Sequence, residues 1–244
     1  MWAIVPLKIF DDAKKRLADV LSPTERRLLM LAMARDVLGA LSQVKTLSGI
    51  LIVSRTPEAD ALAQTFGTER FAESPDANLP QALTQASGYL AAHLGAKGVM
   101  IVPADIPLLT VNEIDEILRD HDQVTVIPDA AKVGTNCLIC SPVDAIPFIF
   151  NGRSFKPHVD AAFARNIVPR IIPGRGFALD IDTREDLISL LTCADVTQTG
   201  SYLVKSGIAS RLQDPDNSRP VSGTAHGAAH GAASVVDIDE GSSA

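Results

Sequence analysis

The stretch Val99-Met-Ile-Val-Pro-Ala-Asp-Ile-Pro-Leu-Leu-Thr110 limits what this chain can fold into more than any other. Val99 to Val102 is a short unbroken apolar run, which suits a central parallel strand buried on both faces. The run breaks at Pro103 and delivers Asp105 just past the strand's carboxyl end, and Ile106-Pro107 stops the strand from simply continuing. Thr110, with Glu113 three residues on, has the spacing of a capping box that opens the next helix. In open α/β sheets, ligands bind outside the carboxyl ends of the strands. A carboxylate there is costly unless paired, and a hard cation carrying phosphate oxygens is a suitable partner. An acid after a strand is also a common loop cap, so Asp105 alone leaves both readings open.

The 244 residues suit one α/β domain or two small ones, and a hydrophobic content of 46% is ample for a core. The formal charge is −7, but from Asp214 onward five acids face one base, Arg219. That net −4 leaves about −3 on the body, which argues against nucleic acid as the main partner. No apolar run approaches the roughly 20 residues that span a bilayer. The start, Met-Trp-Ala-Ile-Val-Pro-Leu-Lys8, lacks the basic and apolar regions of a signal peptide. Three cysteines cannot all pair with one another, so a thiol-reduced, cytoplasmic protein is expected.

Residues 2–7 read as a first strand, followed by a loop that carries Lys8, Lys14, Lys15 and Arg16. Cations after the first strand of an α/β sheet sit where a nucleotide's phosphates would arrive, although a Lys-Lys-Arg run is also an ordinary solvated surface. No Walker-type glycine loop is present. Ser22-Pro23-Thr24-Glu25 is a well-formed helix start, and Leu28, Leu29, Leu31, Ala32, Val37, Leu38 and Leu41 predict an apolar face packed on the sheet. A second buried strand covers 49–54, and Thr56-Pro57-Glu58 opens a helix to about Phe66. A loop with Glu73, Asp76 and Asn78 leads to a third helix, about 79–94. The alternation is that of a doubly wound, mostly parallel sheet.

Residues 123–128 predict a further strand, and Gly134-Thr135-Asn136 leads into Cys137-Leu-Ile-Cys140, antiparallel to its neighbour because too few residues intervene for a crossover. On a strand the two thiols face opposite ways, and no second Cys/His pair completes a zinc site. Ser154 is a candidate N-cap for a helix to about Arg165, with Arg153, Lys156 and His158 at its start as a candidate anion site. A satisfied histidine on an amphipathic helix is the bland alternative. Residues 167–172 read as another strand. Phe177 to Asp182 reads as a strand running into a helix capped by Thr183, with Asp180 and Asp182 on one face. Near Asp214 the composition turns to Pro, Ser, Gly, Ala and His, so one domain is expected over 1–212 and a disordered low-complexity tail over 213–244.

Six motifs in order carry a resemblance: Ile4-Val-Pro-Leu-Lys8, Ala13-Lys14-Lys-Arg16-Leu17, Val102-Pro-Ala-Asp105-Ile-Pro-Leu-Leu109, Pro128-Asp129 with Gly134-Thr135-Asn136, Ser154-Phe with His158, and Asp180-Ile-Asp182-Thr183 with Asp186-Leu187. The chain resembles the 2-phospho-L-lactate/phosphoenolpyruvate guanylyltransferases of coenzyme F-420 biosynthesis, from about residue 2 to 192. It departs from them at Leu79-Pro80, where the family has Leu-Asn, and at Phe150-Asn151-Gly152-Arg153-Ser154, where Arg153 adds a cation. The resemblance implies a Rossmann-like, GT-A-like nucleotidyltransferase: a three-layer α/β sandwich with a mostly parallel central sheet.

It further implies transfer of GMP from GTP to 2-phospho-L-lactate, phosphoenolpyruvate or 3-phospho-D-glycerate, with release of pyrophosphate. Asp105 and Asp182, with Asp180 as substitute or support, would hold magnesium. Lys8, Lys14 and Arg16 would neutralise the triphosphate. Thr135, Asn151, Gly152 and Ser154 would hold the acceptor carboxylate, with His158 or Arg153 near its phosphate and Asn78 near the guanine. The rival readings are a molybdenum-cofactor nucleotidylyltransferase, whose usual glycine-rich first loop is missing here, a sugar nucleotidylyltransferase, and a non-catalytic nucleotide-binding domain. An apolar edge strand could support a homodimer.

Overall fold

In the computed structural model, which describes residues 1–7, 14–193 and 197–213, the apolar runs line up as one sheet. Among the described residues its strands are β1 (Trp2–Pro6), β2 (Gly49–Ser54), β3 (Glu69–Ala72), β4 (Val99–Ile101), β5 (Val124–Pro128), β6 (Thr135–Cys140) and β7 (Arg170–Ile171). They lie in the order β3-β2-β1-β4-β6-β5-β7. All neighbours are parallel except β6, which is antiparallel to both β4 and β5. The helices are α1 (Pro23–Ser42), α2 (Pro57–Phe66), α3 (Leu79–Leu94), α4 (Val111–Arg119), α5 (Phe155–Ala164), α6 (Arg184–Cys193), α7 (Gln198–Lys205) and α8 (Ile208–Gln213). Lys8 and the expected tail after residue 213 lie outside the described residues.

Side chains alternate across the sheet and define two cores. Ala3, Val5, Ile52, Met100 and Cys137 face α1, α2 and α4; Ile4, Leu51, Ile101, Leu138 and Cys140 face α3 and α5. The two thiols therefore point to opposite faces as expected, each held by burial above the usual thiol range, Cys140 at about 12. A third cluster joins Leu29 and Met33 of α1 to Leu187 of α6, Leu203 of α7 and Ile208 of α8. α1 is thus buried on two sides rather than along the single expected stripe, and Leu28, placed on that stripe, is 43% exposed.

Three expectations need correction. Strand β3 falls where the sequence reads as loop; it is a short edge strand, Glu-Arg-Phe-Ala, half exposed and without an apolar run. Residues 177–182 form no strand: their period-two pattern buries Phe177 and Ile181, but the main chain makes only scattered bonds, Ile181 N–H to Asp105 O (3.1 Å) and Ala130 N–H to Ala178 O (3.2 Å). Thr110 does cap α4, accepting from Glu113 N at 3.3 Å, but Glu113 does not reach back to complete the box. Its buried carboxylate accepts instead from the N–H groups of Arg175 (2.8 Å) and Gly176 (2.9 Å), 62 and 63 residues away. That bond pair anchors the segment leading to Asp180 and Asp182.

Candidate active site

The strand order reverses between β1 and β4, and the chain ends leaving those strands open a cleft of about 680 Å³. Asp105 reaches it three residues beyond the Ile101-Val102 end of the central run. Lys14 arrives from the loop after β1 in a left-handed conformation, φ 54°, just before a 3-10 turn at Lys15–Leu17. Its ammonium lies 2.6 Å from Asp105 Oδ2 and 2.6 Å from Asp182 Oδ1. Burial lowers the Lys14 pKa, but the two carboxylates more than offset that and leave it above the ordinary lysine value.

Asp182 is presented by a rigid helix start. The Asp186 carboxylate accepts from Asp182 N, Thr183 N and Thr183 Oγ1, and Thr183 Oγ1 in turn accepts from Asp186 N, so Thr183 caps α6 as expected. Asp180 is held by Asn136, whose Nδ2 donates to Phe177 O (2.8 Å) and to Asp180 Oδ1 (3.3 Å). Burial, followed at a distance by the charges of Asp105 and Asp182, raises the Asp180 pKa despite the Asn136 bond that lowers it.

Lys14, Arg16, Asp105, Thr135, Gly152, Ser154, Asp180 and Asp182 all line this one cleft. Asn78 does not: its Oδ1 accepts from Gln81 N (3.0 Å) and Gln81 Oε1 accepts from Asn78 N (3.0 Å), a capping box that starts α3 and leaves Leu79 and Leu83 on the cleft wall. Asn151 turns its Oδ1 to Arg153 N (3.0 Å) and so shapes the turn in which Gly152 takes φ 83°. Ser154 stands at the N-cap position of α5 without capping it, so its hydroxyl is not spent on the helix. Asn136 and Asp129 are additions to the site. Asp129 accepts from Val133 N (2.8 Å) and Gly134 N (2.7 Å) and thereby folds the loop that presents Thr135.

His158 is the main relocation. It is fully buried behind the cleft wall, with Nδ1 3.0 Å from Thr135 Oγ1 and Nε2 2.9 Å from Ile149 N, so both nitrogens are committed inside the protein and neither is left for a substrate phosphate. Burial pushes its pKa down from 6.5 to about 4. The unfolded chain therefore takes up a proton first as pH falls, and this contribution is full above about pH 6.5 and fades toward pH 4. Between pH 7 and pH 5 it should shrink by about 2 kcal/mol. Denaturant melts of the wild type and His158→Gln at both pH values test this; a stability gap that does not narrow on acidification would contradict it.

The donor chemistry suits magnesium. Among the described residues no closed cluster of three metal-binding side chains exists, but Asp105 and Asp182 converge on one cation with Asp180 nearby. Magnesium takes one or two carboxylates and completes its shell with water and substrate phosphates. The cleft also needs added positive charge to accept phosphates, since its described lining sets Lys14, Arg16 and Arg153 against Asp105, Asp129, Asp180 and Asp182.

Residues 1–222 match the sequence family described as "Guanylyl transferase CofC like". The chain is 32% identical over 204 residues to 2-phospho-L-lactate guanylyltransferase of Methanobrevibacter smithii, covering 83% of this chain and 89% of that protein. It is 37% identical over 191 residues to phosphoenolpyruvate guanylyltransferase of Roseiflexus sp., covering 77% and 83%. Among solved structures, a candidate nucleotide-diphospho-sugar transferase of Desulfovibrio desulfuricans G20 superposes with a TM-score of 0.69 at 17% identity, over 86% of this chain and 97% of that one. A nucleotidyl transferase from Methanothermobacter gives 0.58 at 14% identity, over 84% and 98%. These two establish the fold as that of the nucleotide-diphospho-sugar transferases. No described helix is long and apolar enough to cross a membrane. With a match running from the first residue through the last described helix, the chain belongs to the CofC-like guanylyl transferase family and is a nucleotidyltransferase.

Proposed function

We propose that the cleft transfers GMP from GTP to the phosphate of a small phosphorylated carboxylic acid (2-phospho-L-lactate, phosphoenolpyruvate or 3-phospho-D-glycerate), releasing pyrophosphate, as a cytoplasmic step in making coenzyme F-420. The observation that carries this reading is the meeting of Lys14, Asp105 and Asp182 at one point of the cleft, with Thr135, Gly152 and Ser154 on the same lining.

The nucleophile needs no enzymatic base. A phosphate monoester has a second pKa near 6, so at neutral pH it is mostly a dianion. One of its oxygens attacks the α-phosphorus of GTP, the bond to the β-phosphate oxygen breaks, and pyrophosphate leaves with that electron pair; no proton moves. The obstacle is repulsion between two anions, so the protein's task is positioning and charge neutralisation. Asp105 and Asp182, with Asp180 beside them, would hold magnesium, which when bound neutralises phosphate charge and polarises the reacting phosphate. Lys14 and Arg16, together with Lys8, would balance the triphosphate and the departing pyrophosphate. Thr135, Gly152 and Ser154 would receive the acceptor, Asn151 shaping their turn and Arg153 adding an exposed cation. The apolar wall of Leu79 and Leu83 would take the guanine, with Asn78 as the cap that sets their helix rather than a reader of the base.

Incubation with GTP, magnesium and each acid separately, followed by mass analysis for the guanosine diphospho-acid, tests the reading, with ATP and CTP as controls. One acid should give product with GTP; no product with any acid would overturn the proposal. Arg16→Ala should raise the KM for GTP about tenfold, as expected for one charge-assisted contact, and change the acceptor KM little. The reverse pattern would assign Arg16 to the acceptor.

A further inference from the structure

The His158 ring has no place in the chemistry above, yet its two bonds determine what Thr135 can do. The Ile149 main-chain N–H, 2.9 Å from Nε2, can only donate, so Nε2 must be the lone-pair nitrogen. A neutral imidazole then carries its proton on Nδ1, 3.0 Å from Thr135 Oγ1, and the hydroxyl oxygen is the acceptor. A hydroxyl that accepts there keeps its own proton to donate elsewhere. Thr135 makes no other side-chain hydrogen bond among the described residues, and it lines the cleft. The ring also ties strand β6 to the acceptor turn, meeting Phe150 edge-on at a centroid distance of 5.0 Å, while Phe155 N–H donates to Val133 O at 3.1 Å.

We propose that His158 is a positioning residue that fixes Thr135 as a hydrogen-bond donor to the carboxylate of the acceptor acid, with Ser154 as the second hydroxyl of that subsite. The inference rests on the acceptor assignment under the proposed function and deepens it. A carboxylate only accepts hydrogen bonds, so a wall whose hydroxyl is forced to donate selects for it. Without the ring's N–H, the Thr135 hydroxyl would be free to rotate and offer a lone pair, which repels an anion.

The test compares the KM for the acid and the KM for GTP in the wild type, Thr135→Val, His158→Asn and His158→Gln. Asparagine keeps an amide donor near the place of Nδ1 and loses the partner of Ile149. Glutamine keeps an amide oxygen near the place of Nε2 and loses the donor to Thr135. Thr135→Val and His158→Gln should each raise the acid KM about tenfold, the loss of one hydrogen bond to a charged group, with the GTP KM within about twofold. His158→Asn should stay close to the wild type. A merely structural histidine would shift the acid KM in both His158 variants in step with their melting temperatures, and that result would overturn the proposal, as would an unchanged acid KM in Thr135→Val.

Nitrogen-15 NMR of the wild-type ring tests the same point independently of how the variants fold. The proton is expected on Nδ1, and a proton on Nε2 would overturn the proposal. Wild-type protein that folds but turns over none of the acids would overturn the proposed function instead, while the ring spectrum still decides the tautomer.

Discussion

Asp105→Asn should fold like the wild type and lose about a thousandfold in kcat, the scale seen when one electrostatic contact to a developing charge is removed from an enclosed site. The fold should survive because the substitution keeps the side chain's shape and leaves the Asp105 carbonyl free to accept from Ile181 N. Lys14 also keeps Asp182 as an ionic partner. What disappears is one of the two carboxylates that meet the Lys14 ammonium, and with it half of the anionic pair offered to a divalent cation. A melting temperature within about 3 °C of the wild type, roughly 1 kcal/mol for a chain of this size, would separate chemistry from folding. Activity within tenfold of the wild type would remove Asp105 from the mechanism.

Gly176→Ala should be the most damaging single methyl added to this fold. A β-carbon there would lie 2.2 Å from Leu108 O, 2.8 Å from Leu108 C and 2.8 Å from Glu113 Oε2. Two of those atoms are backbone and cannot rotate away, and the third is the carboxylate that holds Gly176 N itself. The loop must move, at a cost of about 3 kcal/mol, or about 10 °C in melting temperature. Because the displaced segment continues into Asp180 and Asp182, kcat should fall along with stability. Gly88→Ala is the contrast. It lies mid-helix in α3 with nothing within 4 Å of the added carbon, and should stabilise by about 0.5–1 kcal/mol. Thermal melts of both variants check the pair; a harmless Gly176→Ala would contradict the packing described for the 174–182 segment.

How much of this was legible in the sequence depends on the range of the interaction. Local signals carried through: Ser22 with Glu25 forms a full capping box on α1, Thr183 caps α6, and the apolar run at Val99 lies at the centre of the sheet. Asp105 is legible because it follows a strand end, and Asp182 because it stands just before a helix start. Their distance from each other was not legible, since it depends on Lys14, 91 and 168 residues away along the chain. Glu113 shows the limit clearly. Its spacing from Thr110 fits a local box, yet two main-chain N–H groups across the fold claim its carboxylate.

His158 shows the same limit for function. Next to Arg153 and Lys156 it reads as part of a cationic helix start, but only the fold reveals that Thr135 and Ile149 enclose it. Asn136 was visible only as part of a turn sequence; nothing local signals that its amide would hold Asp180. The last two helices were missed for a different reason. α7 and α8 are short, and they are held by the third core and by Asp36, whose carboxylate accepts from Gln198 N, Thr199 N and Thr199 Oγ1. Such helices depend on packing more than on their own periodicity.

The central claim is direct attack of the acceptor's phosphate on GTP in a cleft that neutralises charge without supplying a nucleophile. The most direct measurement is pyrophosphate release from GTP in a single turnover, with enzyme in excess, with and without the acid. Release is expected only when the acid is present, at a rate that Asp105→Asn lowers about a thousandfold. A burst of pyrophosphate without acid would mean that a protein group or water attacks the α-phosphorus in place of the acid, and would contradict direct attack by the acceptor.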